Sequence, residues 1–250
     1  MNQFILEICT DSVYSCVQAE QGGAARVELC ANLFEGGTTP TAGCLQIARQ
    51  KIKIPIHVLL RPRGGDFCYT DDEFAVMQYD LEVIKSLGAD GVVLGVLLPD
   101  GNIDVERTKI LIEQARPLKI TFHRAFDMVV DPLLALDQLI DLGVGRLLTS
   151  GQEKSALEGS ELIAELVRRA GDKLVVMPGG GITERNIARL HRETNAPEYH
   201  LTAREKLPSP MTYRNPNAFM GGELRLPEYE LAFTNAQKVA RTQSALNKQV

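Results

Sequence analysis

The sequence LGADGVVLG, residues 87–95, leaves a helical pattern through glycine and enters a short valine-rich run. The same succession occurs in GGAARVELC, residues 22–30, and in LGVGRLLTS, residues 142–150. Glycine just past a helical pattern is typical of a helix C-terminal cap, and the apolar run that follows it predicts a buried strand. Each of the three stretches therefore predicts a junction from a helix to a strand.

Short apolar runs of this kind recur along most of the chain, and helical patterns separate most of them. The eight runs are 4–9, 26–30, 56–61, 91–97, 118–123, 146–149, 174–177 and 198–202. Eight β/α units in a chain of 250 residues predict a (β/α)8 TIM barrel, with a doubly wound open sheet as the alternative. We expect one domain over residues 1–250, with the barrel at about 4–203.

Helix boundaries can be read at several places between the runs. Thr70 and Glu73 have the spacing of a capping box, and Gly88 follows that helical pattern where a C-terminal cap belongs. Asp131 precedes Pro132, an order typical of a helix N-terminus. These signals favour helices in the connections that a β/α alternation requires.

Beyond residue 203 the regular periodicity ends, and we expect a C-terminal extension at about 204–250. Residues 204–225 predict an extended segment that lies across the barrel mouth or against a neighbouring subunit, and a helix is expected near 234–247. A free linker is the alternative. Four apolar side chains of the segment favour burial over a linker: Tyr213, Phe219, Met220 and Leu224.

Composition disfavours several classes of protein. The chain has 27 basic and 32 acidic residues, a net charge of −5, and no run of five or more basic residues, so no nucleic-acid partner is expected. No apolar run approaches the roughly 18 residues of a membrane span. The start MNQFILEICTDS lacks the basic region of a signal peptide, which predicts a cytoplasmic protein whose five cysteines remain thiols.

Strand alternation predicts that several ionisable side chains face the inside of the barrel. Their strand neighbours, such as Leu6, Val27 and Phe122, suit the layer between the strands and the helices. The inward residues near the mouth are Glu7, Glu28, Arg61 and His123. They predict either an ion network that fills the barrel or a catalytic site. In that site Glu7 or Glu28 and His123 would exchange protons while Arg61 holds a small phosphorylated or carboxylated substrate.

Two cysteines share the inward direction at the ends of neighbouring strands. Cys9 and Cys30 are the last residues of the first two runs, and adjacent strands lie about 4.8 Å apart, so the two sulfur atoms are expected to be close. Soft thiolates prefer Cu(I) or zinc, with His123 and Met177 as further candidate ligands. Packing of two small buried side chains is the alternative.

The sequence VVMPGGGITERN, residues 175–186, combines three glycines with an expected helix start. Gly179, Gly180 and Gly181 follow the seventh strand, where barrels frequently bind phosphate, and their N–H groups are candidates for holding an anion. Arg204 and Lys206 follow the eighth strand and are candidates to complete that anion site. The alternative is a tight turn that needs glycine only for its backbone angles.

Several of these motifs together resemble one family. The chain is similar to the CutC family in LEICTDS, RVELCANLFEGGTTP, RPRGGDFCY, TFHRAFD, LTSG with SALEG, and VMPGGGIT. The resemblance implies a cytoplasmic (β/α)8 barrel that forms a homo-oligomer, a dimer or tetramer, and that binds or traffics Cu(I) in copper homeostasis. The family's suggested copper-binding cysteines fall on the EIC and ELC motifs, which here are Cys9 and Cys30. An acid–base enzyme acting on a small anionic molecule remains the alternative function.

Overall fold

Eight parallel strands alternate with helices in the structure, a computed structural model that describes residues 4–220 and 227–248. The strands are β1 (Ile5–Thr10), β2 (Arg26–Leu29), β3 (Ile56–Leu59), β4 (Gly91–Leu94), β5 (Lys119–Phe122), β6 (Arg146–Thr149), β7 (Val175–Pro178) and β8 (Glu198–Leu201). The helices between them are α1 (Val13–Gln21), α2 (Ala42–Lys51), α3 (Asp71–Ser86), α4 (Val105–Ala115), α5 (Pro132–Asp141), α6 (Ser160–Ala170) and α7 (Ile187–Thr194). The predicted TIM barrel is confirmed.

The strands follow one another around the barrel in chain order, and β1 pairs with both β2 and β8. The last contact, between β7 and β8, is a single bridge from Gly179 to His200. A Cβ atom on Gly179 would lie 2.5 Å from Leu148 Cδ1 and 3.3 Å from His200 Cβ. The first glycine of the run is therefore needed because the backbone passes close to its neighbours where the barrel closes.

The helix boundaries expected from the sequence are present. Thr70 and Glu73 form a reciprocal capping box at the start of α3, and the Asp131 side chain accepts two backbone N–H groups at the start of α5. Gly88, just past α3, has a φ of +78°, a left-handed angle that glycine adopts without strain. Local sequence thus determines where these helices begin and end.

Side chains of alternate strand residues form two separate layers. Leu6, Val27 and Phe122 are fully buried in the large apolar layer between strands and helices. Cys9 and Cys30 instead pack with Leu59 and Val93 in a small cluster inside the barrel. The alternation predicted from the sequence is confirmed, so the charged residues of the same parity also lie inside.

After β8 the chain forms an antiparallel pair, β9 (Arg204–Pro208) and β10 (Glu230–Thr234), and ends in α8 (Ala236–Asn247). The predicted C-terminal helix is confirmed, whereas the strand pair was not expected. Within this chain the segment is not buried across the barrel mouth: Tyr213 is 72% and Met220 87% exposed, and Phe219 is exposed as well. Packing against a neighbouring subunit stays a prediction. Leu224 lies outside the described residues. Among the described helices, none is both long and apolar enough to cross a membrane.

Candidate metal centre and ligand cavity

A cavity of about 540 Å³ opens at the C-terminal ends of the strands, where TIM barrels place their sites. Cys9, Glu28 and His200 line it on one side of the barrel, and we call these three residues the floor. Apolar side chains form much of the remaining wall: Leu33, Leu59, Phe67, Leu148 and Ile182. The cavity thus combines a polar, buried floor with walls that suit an organic molecule.

The two cysteines lie next to each other, but only Cys9 lines the cavity, whereas Cys30 is 1% exposed and does not line it. Cys9 Sγ is 3.8 Å from Cys30 Sγ, and both side chains are buried free thiols. Cys9 donates to Glu28 Oε1 at 3.3 Å, and Cys30 donates to the Thr10 carbonyl at 3.4 Å. Because metal–thiolate bonds are about 2.3 Å long, two sulfur atoms at this separation can both reach one metal ion.

His200 brings a nitrogen ligand to the same place. One potential ligand atom from each of Cys9, Glu28 and His200 lies within 4.8 Å of the others. His200 Nδ1 lies 2.7 Å from Glu7 Oε1, so the carboxylate fixes the ring and leaves Nε2 as the nitrogen available to a metal. Carboxylates commonly orient metal-binding histidines in this way.

Protonation of the floor follows from burial and from the close contacts. The hydrogen bond with Cys30, together with burial, raises the pKa of Cys9 well above its usual value. Burial raises the pKa of Glu28. Burial alone would lower the pKa of His200, but the Glu28 and Glu7 carboxylates outweigh it and raise that pKa. A cation that binds here therefore has to displace protons.

Beneath the floor lies a buried network of ion pairs. Arg26 pairs with Glu7 and, at 2.7 Å, with Glu198, which also accepts from Arg146 at 2.6 Å. Burial raises the pKa of Glu7, but Arg26 and His200 outweigh it and hold the pKa below its usual value. Glu7 is fully buried in this network and does not line the cavity. Arg26 also donates to Met177 Sδ at 3.5 Å, and Met177 does not line the cavity.

Arg61 and His123 line the cavity away from the floor. Arg61 donates to the carbonyl oxygens of Glu35, Gly37 and Gly65 at 2.7 to 2.9 Å, and its guanidinium lies over the Phe67 ring. Because β5 is four strands from β1 in the barrel, His123 lies across the barrel from Cys9. The structure therefore brings Glu28, Arg61 and His123 to one cavity but places His123 apart from the cysteine pair.

The glycine run reaches the same cavity, but not as the start of a helix. The helix α7 begins only at Ile187, so the expectation that the glycines open it is wrong. Gly179 already donates its N–H to the Thr149 carbonyl at 2.9 Å. Gly180 and Gly181 line the cavity with φ angles of +103° and +71°.

The two basic residues after β8 do not join the glycines. Arg204 donates to Asp11 at 3.0 Å and to the Ala232 carbonyl at 2.8 Å, and Lys206 pairs with Glu230 at 2.8 Å. Neither side chain lines the cavity, because the strand pair β9–β10 holds both of them outside it. The cation beside the glycines is Arg124 instead.

A family model described as the CutC family matches residues 4–205. The chain belongs to the CutC family. It is 51% identical over 249 residues to the copper homeostasis protein cutC homolog of Mus musculus, covering 100% of this chain and 91% of that protein. It is 51% identical over 236 residues to a family protein CutC of Parabacteroides distasonis, covering 94% of this chain and 97% of that protein. The crystal structure of a CutC protein from Streptococcus agalactiae is similar with a TM-score of 0.76 at 34% identity, over 80% of this chain and 98% of that one.

In this CutC family chain, sequence reasoning missed the residues that complete the site. His200 alternates with Glu198 in the eighth apolar run, and the parity that identified Glu7 and Cys9 would have placed both inside the barrel. Arg26 shares the parity of Glu28 in the same way. No comparable signal marked Arg124, because it follows β5 in a short 3-10 turn where strand alternation no longer applies.

Proposed function

We propose that this chain binds Cu(I) through Cys9 and Cys30 and takes part in copper homeostasis, the role that the name of its Mus musculus relative states for that protein. The observation that supports the proposal most is the 3.8 Å separation of the two buried sulfur atoms, together with the position of Cys9 in the lining of an open cavity. Thiolates are soft ligands that favour Cu(I), and cysteines remain reduced in the cytoplasm, the setting we propose. A homo-oligomeric assembly stays a prediction.

His200 is the third candidate ligand in this proposal. Its ring is oriented by Glu7, which is itself held by Arg26, so the nitrogen needs no rearrangement to approach a metal bound at Cys9. Glu28 accepts from the Cys9 thiol and is the nearest carboxylate to which a thiol proton can move when the metal binds. The network below the floor therefore supports the ligands, and the cavity above provides the entry route.

The proposal is tested by an anaerobic competition titration of the full chain against a Cu(I) chelator. The double variant Cys9→Ser, Cys30→Ser removes both sulfur ligands, and we expect its Cu(I) affinity to fall at least about a hundredfold. His200→Gln is expected to lower the affinity by a smaller factor, about tenfold, because the two thiolates remain.

Cys44→Ser is the matched control, since Cys44 is a half-buried thiol of α2 that does not line the cavity. Its affinity is expected to equal that of the unmodified chain. Unchanged Cu(I) affinity in the double variant would contradict the proposal. A double variant that binds Cu(I) weakly but keeps its thermal midpoint would support it, because the loss then lies in the site and not in the fold.

A further inference from the structure

Three buried polar atoms of cavity-lining residues have no hydrogen-bond partner in the described part of the chain. They are Glu28 Oε2, Arg61 Nε and His123 Nε2. Arg61 and His123 are each only 5% exposed. A buried polar atom without a partner destabilises a fold, and such atoms grouped around one cavity indicate a ligand that pairs with them. The cysteine pair does not account for Arg61 or His123.

His123 is a hydrogen-bond donor at Nε2, the atom left without a partner among the described residues. Its Nδ1 accepts the backbone N–H of Ala125 at 3.1 Å, so in the neutral ring the proton is on Nε2. Burial lowers the pKa of His123 to about 3, which keeps the ring neutral at physiological pH. Arg61 Nε is also a donor, so these two side chains together offer N–H groups to an oxygen atom of a ligand.

Arg124 provides a positive charge beside the bare backbone of the glycine run. Its Nε donates to Asp127 Oδ2 at 2.6 Å and its Nη2 to Ser150 Oγ at 2.7 Å, which fixes the guanidinium plane. Its Nη1 lies 3.6 Å from the position that a Cβ atom of Gly180 would occupy. Arg124 and Gly180 both line the cavity, so an anion in the cavity can contact the guanidinium and the glycine backbone together.

Asp127, which also lines the cavity, is the counter-ion of Arg124. Its two carboxylate oxygens also accept the backbone N–H of Ser150 at 3.0 and 3.1 Å and the hydroxyl of Ser150 at 2.9 Å. The carboxylate is thus engaged by several donors of the β6 loop, and its side chain is 7% exposed, whereas that of Arg124 is 44% exposed. The guanidinium of Arg124 is therefore the more accessible member of this ion pair.

We propose that the cavity binds a small phosphorylated organic molecule, in addition to the Cu(I) ion proposed above. The phosphate group lies against Arg124, Gly180 and Gly181, and an oxygen atom of the organic part accepts from Arg61 Nε and His123 Nε2. The apolar walls and the volume of about 540 Å³ fit a molecule of several carbon atoms, whereas a metal ion alone uses only the floor. The site differs from the one expected from the sequence, because Arg124 takes the place of Arg204.

The proposal is tested by the thermal unfolding midpoint and by calorimetric titration of the full chain with three probes. These are inorganic phosphate, glycerol 3-phosphate and glycerate. We expect glycerol 3-phosphate to bind more tightly and to raise the midpoint more than the other two, because it alone can occupy both the phosphate and the oxygen position. A larger shift with glycerate would overturn the assignment of a phosphate group.

Arg124→Gln removes the charge, and we expect the Kd for glycerol 3-phosphate to rise about tenfold to a hundredfold. Arg124→Lys keeps the charge but not the planar guanidinium, and its Kd for glycerol 3-phosphate is expected to lie between those of Arg124→Gln and the unmodified chain. This variant replaces Arg124→Gln in the test if the glutamine variant does not fold. His123→Phe keeps a ring of similar size and is expected to raise the Kd for glycerol 3-phosphate about two- to tenfold while leaving that for inorganic phosphate unchanged.

Arg204→Gln is the matched control, since Arg204 is also a partly exposed arginine paired with an aspartate but does not line the cavity. Its binding of all three probes is expected to equal that of the unmodified chain. The proposal is overturned if none of the probes shifts the midpoint. It is also overturned if Arg124→Gln binds glycerol 3-phosphate as tightly as Arg204→Gln does.

Discussion

At the scale of single residues, the carboxylate of Glu7 has the most consequential environment. It is fully buried, and it pairs with Arg26 and, through a 2.7 Å hydrogen bond, with His200. The sequence placed this residue inside the barrel and left open whether it belonged to an ion network or to a catalytic site. Its contacts show the network, because Glu7 supports the floor of the cavity from below.

Glu7→Gln is predicted to destabilise the fold by about 3 kcal/mol, because it leaves a buried arginine and a buried histidine without their shared counter-charge. The free energy of unfolding in urea measures the effect. Glu193→Gln breaks a surface ion pair with Arg189 on α7 and is the control, with an expected loss of at most about 0.5 kcal/mol. Equal losses in the two variants would contradict the buried network.

At the scale of secondary-structure elements, the approach of β7 to β8 is the feature that closes the barrel. The closure depends on Gly179, since a Cβ atom there would lie 2.5 Å from Leu148 Cδ1. The φ angle at Gly179 is not positive, so crowding and not backbone strain is the reason for glycine. In this respect the first glycine differs from Gly180 and Gly181.

Gly179→Ala is predicted to lower the free energy of unfolding by about 1 to 3 kcal/mol through overpacking. Adding Leu148→Ala removes the atom that is crowded, so the double variant is expected to lose less than the sum of the two single changes. Urea unfolding of the four proteins in this cycle measures the coupling.

Gly43→Ala serves as the control for the glycine change, because no atom lies within 4 Å of the added Cβ and the residue is in α2. It is expected to stabilise the protein by up to about 1 kcal/mol, as alanine favours helix over glycine. If the losses in free energy of unfolding from Gly179→Ala and Leu148→Ala are strictly additive in the double variant, the two side chains do not compete for space.

At the scale of the whole molecule, the interior of the barrel is unusually rich in ionisable groups, and stability is therefore expected to depend on pH. Burial lowers the pKa of His57 to about 4. In the unfolded chain this histidine titrates near 6.5, so between pH 6.5 and 4 the unfolded state binds the proton and the folded state does not. Stability is consequently lost as the pH falls through this window.

We predict that His57 contributes about 1.4 kcal/mol of lost stability for each pH unit between 6.5 and 4. His57→Gln cannot take up that proton, and its free energy of unfolding is expected to fall less steeply over the same range. The two proteins are compared by the slope of their free energy of unfolding against pH. A loss of stability that is the same at every pH therefore does not affect the comparison. The pKa of His200 is raised in the folded state, so below pH 6.5 this histidine is protonated in both the folded and the unfolded state and does not contribute to this slope. Its contribution to stability is lost above pH 6.5, as the pH rises through the folded-state pKa.

Much of the fold was determined by the sequence alone. Alternation within each strand separated Leu6 and Val27 from Cys9 and Glu28, because successive side chains of a strand point to opposite faces. The caps at Thr70 and Asp131 marked helix starts, since the atoms that form a cap are at most a few residues apart in the chain. The closeness of Cys9 and Cys30 also followed, because adjacent parallel strands have a nearly constant spacing.

Only the tertiary structure decided which distant residues complete the site. His200 reaches Glu7 from β8, the last strand of the barrel, and Arg124 reaches Gly180 from a turn after the fifth strand. Those contacts depend on how the strands stagger and close into a barrel and on the path of the loops, neither of which is encoded in the local pattern. Arg204 was assigned to the glycines by its place after β8, but pairing of β9 with β10 moved it to Asp11, because interactions between distant segments decide the direction of a long side chain.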